Sequence, residues 1–269
     1  MHTYSAGIKG RLRHTLQQCR TSARRRSFLG LEIDRLPDGT ITLGQQAYTE
    51  SIIRRFGMED ANPADTALHH KTKLDDIHEG ESEADSELHR SIVGSLGYAV
   101  QCTRADLAYA VAALSRYNAK PYATHMTAAK RALRYLKKMA DAKLVFPGPG
   151  SGSSSNSAVL VGYTDSDWAS DRGDRKSQGG FVFQTNGAPV SWSSKKQTVV
   201  AKPTTEAEYL ACSEATREAQ SLVYLHRGVT GETAVPLIHC DSNGALSTIR
   251  STASSDKAKR ISQFSASGC

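Results

Sequence analysis

Apolar residues in this chain recur with two spacings, and the changes from one to the other divide it. Phe28-Leu-Gly-Leu-Glu-Ile33 and Ile41-Thr-Leu43 flank Pro37-Asp-Gly-Thr40. Short apolar runs around Asp38-Gly39 predict strand, turn, strand. Tyr48, Ile52 and Phe56 then repeat at a helical interval, which predicts a helix over 45–56 stopped by Gly57. Residues 59–87 lose periodicity, and Asp75 to Glu87 carries seven acids with no Lys or Arg, as a solvated acidic loop would. Three helical stripes follow between 88 and 139: Leu88, Ile92, Leu96 and Val100; Leu107, Val111 and Leu114; Met126, Ala129, Leu133 and Leu136.

Gly and Ser without apolar content cannot pack, so Pro147-Gly-Pro-Gly-Ser-Gly-Ser-Ser-Ser-Asn156 reads as a linker and a domain boundary. Beyond it, Val159 to Asp165 is a strand with both faces mostly apolar, as expected of one buried inside a sheet. Gly179-Gly-Phe-Val-Phe183 and Val190-Ser-Trp-Ser193 are the next two strands, with Val199-Val200 continuing the third after a kink. Thr205 to Arg227 is the longest helix, Val235 to Cys240 a fourth strand, and Ser242 to Arg250 a short helix. The expected fold is α/β, with the order β-β-β-α-β-α after the linker and a smaller α+β part before it. The expected domains are a basic, disordered arm (1–27), a hairpin-plus-helices region (28–146), a linker (147–157) and a second domain (158–269).

Composition changes this picture in one place. The net charge is +7, but residues 1–26 hold seven of the 34 Lys and Arg and none of the 27 Asp and Glu. The remainder is neutral, so the charge does not argue that the folded part binds nucleic acid. No apolar run approaches the length of a membrane span. Five scattered cysteines without CxxC spacing exclude a zinc knuckle or a disulfide scaffold and point to reduced thiols in an intracellular protein, cytoplasmic or nuclear.

The candidate chemistry lies in the acids that close the predicted strands. Asp165 ends the first strand and Asp241 the fourth. A helical crossover makes those strands parallel, and parallel neighbours would bring both aspartates to one sheet edge. Glu208 falls on the stripe with Cys212, Ala215, Ala219 and Leu222 that must face the sheet, whereas Glu206 faces solvent and is the fallback. A capping box with Thr205 would account for Glu208 alone. Three converging carboxylates repel one another and raise each other's pKa unless a divalent cation joins them, and Mg²⁺ takes such oxygen ligands.

The residues Tyr163-Thr-Asp165-Ser-Asp167-Trp168-Ala, Ser191-Trp-Ser-Ser-Lys-Lys-Gln-Thr-Val-Val200, Thr204-Thr-Glu-Ala-Glu208-Tyr and Cys240-Asp241-Ser-Asn243 resemble the ribonuclease H domain of Ty1/copia-type retrotransposon Pol polyproteins. Phe28-Leu-Gly-Leu-Glu32, Ile92-Val-Gly-Ser-Leu-Gly-Tyr98, Thr103-Arg104-Ala-Asp106-Leu-Ala-Tyr109-Ala-Val111 and Ala132-Leu-Arg-Tyr-Leu136 resemble the end of the reverse transcriptase and the connection that follows it. The resemblance implies a mixed five-stranded ribonuclease H sheet that cuts the RNA strand of RNA–DNA hybrids with two Mg²⁺ or Mn²⁺ ions. Asp165, Glu208 and Asp241 match the family's first three metal-binding acids. Arg175, Lys176, Lys195 and Lys196 are the candidates for phosphate contacts, and other polyprotein products are candidate partners.

The match departs from the family pattern in three ways. Residues 1–27 do not resemble what precedes Phe28 there, and the polymerase Tyr-x-Asp-Asp is missing. Ala105 stands where the family usually has proline. Ser262 stands where a fourth acid is expected, and the chain ends soon after, without the closing helix. The expectation is therefore a truncated domain with weakened activity, or a relic without catalysis that at most binds nucleic acid.

Overall fold

The computed structural model describes residues 26–69, 72, 74–75, 80–148, 160–167, 176–198, 204–252 and 265–266. Most of the basic arm, linker residues 149–157, Val199-Val200, Arg175 and Ser262 lie outside the described residues. Helices and strands are mixed, as an α/β fold requires, in two sheets.

The first sheet is antiparallel and runs β1 (Arg26–Phe28), β2 (Leu31–Arg35), β3 (Ile41–Gly44), β4 (Lys143–Phe146). Phe28 to Ile33 is not one strand, as its composition suggests. Leu29 and Gly30 both take positive φ, 49° and 72°, and turn the chain back on itself. The second turn forms as expected. Gly39 has φ 84°, and the Asp38 carboxylate accepts the Thr40 amide at 2.9 Å. β4 was not anticipated, because Lys143–Phe146 is too short to show a period by itself.

Five helical pieces pack beside this sheet: α1 (Gln46–Arg55), α2 (Ser86–Cys102), a 3₁₀ turn (Ala105–Leu107), α3 (Ala108–Ser115) and α4 (Ala123–Lys138). Their core is the set of periodic positions, with Ile92, Leu96, Leu107, Leu114, Leu133 and Leu136 all buried. The described acids of the 75–87 stretch are more than a solvated loop. Asp85 caps α2 by accepting the amides of Glu87 and Leu88, Glu81 accepts the amide of Thr124, and Asp75 accepts the Tyr117 hydroxyl. An acid at a helix start satisfies orphan amides, so such residues gather there. Arg104, 4% exposed, forks onto Asp106 at 3.0 and 2.6 Å and reaches the Met139 carbonyl, while Tyr135 donates to the same carboxylate.

The second sheet has the order β7-β6-β5-β8-β9, from β5 (Leu160–Asp167), β6 (Gln178–Thr185), β7 (Ala188–Lys196), β8 (Leu237–Cys240) and β9 (Ser265–Ala266). β5, β6 and β7 are antiparallel, whereas β8 lies parallel to β5, as the helical crossover predicts. That crossover is α5 (Thr204–Thr230), followed after β8 by α6 (Asn243–Thr252). Ala207, Ala211, Ala215 and Ala219 are all buried, and this row of small side chains lets α5 lie close on the sheet. β6 and β7 run longer than their apolar centres because Asn186 and Gly187, at φ 50° and 77°, close a tight hairpin between them.

Three expectations need correction. β5 is not buried on both faces: Leu160, Gly162, Thr164 and Ser166 are buried, while Tyr163, Asp165 and Asp167 are exposed. Tyr163 keeps one apolar side by stacking on His239 at 5.0 Å. Asp165 also does not end its strand, since the ladder with β6 continues to Asp167. Finally, α5 begins at Thr204, which puts Thr205 inside the helix rather than at the cap position a capping box needs.

The two sheets are joined by more than chain. The Trp192 indole N–H on β7 donates to the Val100 carbonyl near the end of α2 at 2.8 Å, and α3 packs against β7.

Candidate functional site

The parallel register of β5 and β8 builds the site. Thr164 lies opposite Cys240, so the next residues, Asp165 still within β5 and Asp241 just past β8, follow at the same end of the β5–β8 ladder. α5 crosses above with Glu208 in its second turn. Its neighbours Ala207, Ala211 and Cys212 are buried, which fixes the rotation of the helix and aims Glu208 at that sheet end. Glu206 is exposed, as the helical phase predicts. The structure thus brings Glu208 and Asp241 within ligand distance of each other and leaves Asp165 outside that group but near enough for its charge to act on Glu208.

It also adds a fourth group. Ligand atoms of Glu208, Cys240 and Asp241 lie within 4.8 Å of one another. Cys240 is 3% exposed and Cys212, one turn beyond Glu208 on α5, is 4% exposed. The two thiols pack side by side in one buried cluster with Ala245 and Leu246. The contact with Cys240 and burial push the Cys212 thiol up, and the same contact draws Cys240 down.

Glu208 carries the electrostatic strain. Burial, then the charges of Asp165, Asp241 and Cys240, push its carboxyl up to about 7, against a hydrogen bond from the Ser166 amide. Its Oε2 is buried without a hydrogen-bond partner among the described residues. Asp165 turns its own Oδ1 onto the same Ser166 amide at 2.8 Å. An oxygen kept from water and given no donor is costly, and a cation relieves that cost.

Gln197, just past β7, braces this corner. Its side-chain amide donates to the Ala207 carbonyl at 2.8 Å and approaches the Ser166 hydroxyl at 3.4 Å. It ties the helix carrying Glu208 to the strand carrying Asp165.

Comparison with known proteins identifies where such a chain occurs. It is 37% identical over 219 residues to the retrovirus-related Pol polyprotein from transposon RE2 of Arabidopsis thaliana, covering 81% of this chain and 14% of that one. It is 34% identical over 240 residues to the corresponding polyprotein from transposon TNT 1-94 of Nicotiana tabacum, covering 87% and 18%. The chain belongs to the Ty1/copia-type retrotransposon Pol polyproteins. It spans less than a fifth of the length of these transposon polyproteins. A secreted RxLR effector protein, number 161, of Plasmopara viticola is 46% identical over 141 residues, covering 52% of this chain and 95% of that protein. No family model matches the chain. Among Pol polyprotein relatives, then, this is a retroelement-derived segment.

The basic candidates separate. Lys196 pairs with Gln178, which pairs with Asp167, so these three share the face that carries Asp165. Lys195 pairs with Gly179, opposite Ser166, and falls on the α5 face, where it is exposed. Lys176 precedes β6 and is half-buried. Sequence reasoning missed the roles of Cys240, Cys212 and Gln197. The signal for the cysteines was present: Cys212 follows Glu208 by one helical turn, and Cys240 directly precedes Asp241.

Proposed function

We propose that residues 158–269 form a ribonuclease H-like domain that hydrolyses the RNA strand of RNA–DNA hybrids, and that residues 28–146 are a reverse-transcriptase connection region beside it. The observation that carries this reading is the parallel β5–β8 pairing, which sets Asp165 and Asp241 side by side under Glu208. The strand order β7-β6-β5-β8-β9, a mixed five-stranded sheet with a helical crossover, supports it. The family membership supports it independently.

Mg²⁺ or Mn²⁺ fits the residues present. The donor set includes three carboxylates, and the buried, unpartnered Oε2 of Glu208 is the kind of atom a hard cation satisfies. Asp165, Glu208 and Asp241 would hold it; bound there, it supplies an activated water and charge for the leaving oxygen of a phosphodiester. The protein's own part is positional. Gln197 and the Ser166 amide fix Glu208 and Asp165 relative to each other. Lys196, on the same face as Asp165, is the residue proposed for a backbone phosphate, since hybrid recognition rests on such contacts and on 2′-hydroxyls.

A second reading follows from Ser262, which stands at the fourth acid position of the family pattern. With one ligand fewer, the domain keeps the fold and binds nucleic acid without cutting it. Cleavage of a labelled RNA–DNA hybrid in Mg²⁺ and in Mn²⁺, beside an Asp165→Asn control, decides between the two. Cutting that disappears in the control establishes the nuclease. No cutting by folded protein leaves the binding relic.

A further inference from the structure

The carboxylate site contains a sulfur that hard-cation chemistry does not use. We infer that Cys240, Glu208 and Asp241 form a site for one thiophilic divalent cation of the Zn²⁺ class, with Cys212 as the residue that positions the Cys240 sulfur. The inference stands on the donor set and does not require the nuclease reading, although it shares two residues with it.

The geometry suits such an ion. One sulfur and two carboxylate oxygens lie within 4.8 Å of one another. A tetrahedral ion holds sulfur at about 2.3 Å and oxygen at about 2.0 Å, which sets its donors about 3.5 Å apart. Closing the present group onto an ion therefore asks for side-chain shifts of about 1 Å. Mg²⁺ demands near-octahedral oxygen coordination and has little affinity for thiolate, whereas Zn²⁺ and Cd²⁺ take mixed sulfur and oxygen ligands. Three protein donors would leave a fourth position open to water.

The surroundings fit as well. The Glu208 Oε2 is buried and lacks a hydrogen-bond donor among the described residues. Cys212 packs beside Cys240 in one buried cluster, where an outer-sphere neighbour can orient a ligand sulfur. Ala245 and Leu246 pack with both sulfurs in that cluster.

The full chain, reduced and metal-free, is titrated with Cd²⁺ while thiolate-to-metal charge-transfer absorption is followed. The expected result is saturation at one ion per chain with the intensity of a single thiolate, displaced by Zn²⁺ and not by a large excess of Mg²⁺. Cys240→Ser, with its fold checked by circular dichroism, loses the band. Replacing Cys19, Cys102 and Cys269 together by Ser leaves it. Cys212→Ala keeps the single-thiolate intensity but weakens binding by about tenfold. No band, a band that survives Cys240→Ser, or the intensity of two thiolates overturns the inference. Hybrid cleavage without the band leaves the nuclease reading standing alone, and the band without cleavage does the reverse.

Discussion

Phe183 lies over Gly162 so closely that a Cβ built on the glycine would come within 2.3 Å of its ring. Phe183 is fully buried at the centre of the second sheet's core, with Ala215, Ala219 and Ile238. The ring cannot retreat without displacing α5. Gly162→Ala is expected to cost about 3 kcal/mol by overpacking, read from urea unfolding. Because Gly162 lies three residues before Asp165, hybrid cleavage should fall with it.

The pH dependence of stability around the acidic site has a fixed sign. Glu208 is raised from 4.5 to about 7 by burial and by Asp165, Asp241 and Cys240. The folded chain therefore binds more protons than the unfolded chain between those values. Stability from this group is full below 4.5 and is lost as pH rises toward 7. Without divalent cation, wild type and Glu208→Gln should be close in stability below pH 4.5, and the variant should become the more stable one across that window, the gap levelling off above it. Millimolar Mg²⁺ at pH 8 should raise the thermal midpoint of wild type and not of the variant.

His89 works in the opposite direction. It is fully buried on α2, with Nδ1 3.2 Å from the Asn118 side-chain oxygen. Burial, aided by the nearby His125 and opposed by Asn118, lowers it from 6.5. The unfolded chain then binds more protons below 6.5, so stability declines as pH falls through that value. His89→Gln should flatten this acid limb in pH-dependent denaturant melts.

Arg104 is a costly charge to strand. Its guanidinium is buried, and burial pushes Asp106 up while hydrogen bonds from Arg104 and Tyr135 draw it down by more. Asp106 is partly exposed, which places the loss for Arg104→Ala near the low end for a broken buried pair, about 3 kcal/mol. Arg104→Lys should recover little, because an ammonium cannot reproduce the two-toothed contact. Chemical denaturation of both variants checks this.

The elements with strong periods were legible in the sequence. The stripes through Ile92, Leu107 and Leu133 give their helices, and the crossover to β8 follows from α5 lying between two strands. Glu208 was legible from helix phase and Asp241 from its strand end, both local properties, whereas Asp165 was singled out as a strand end although its strand runs on to Asp167. The break at Leu29-Gly30 was hidden because an apolar Leu at positive φ looks like any strand residue. β4 is four residues long and is defined by its partner β3. The exposed face of β5 could not be read from Val161 and Tyr163, since apolar side chains do not reveal whether anything covers them. Gln197 was similarly opaque: its function as a brace exists only when Ser166 and Ala207 have been folded around it.

The β5–β8 pairing has a kinetic consequence. Val161 and Leu237 are neighbours in the sheet but are separated in the chain by two strands and the whole of α5. Contacts of such long sequence separation form slowly, since loop closure must precede any reward. Asp165 and Asp241 therefore meet only when this long-range ladder forms. Their mutual repulsion burdens that step and not the local antiparallel pairing of β5, β6 and β7.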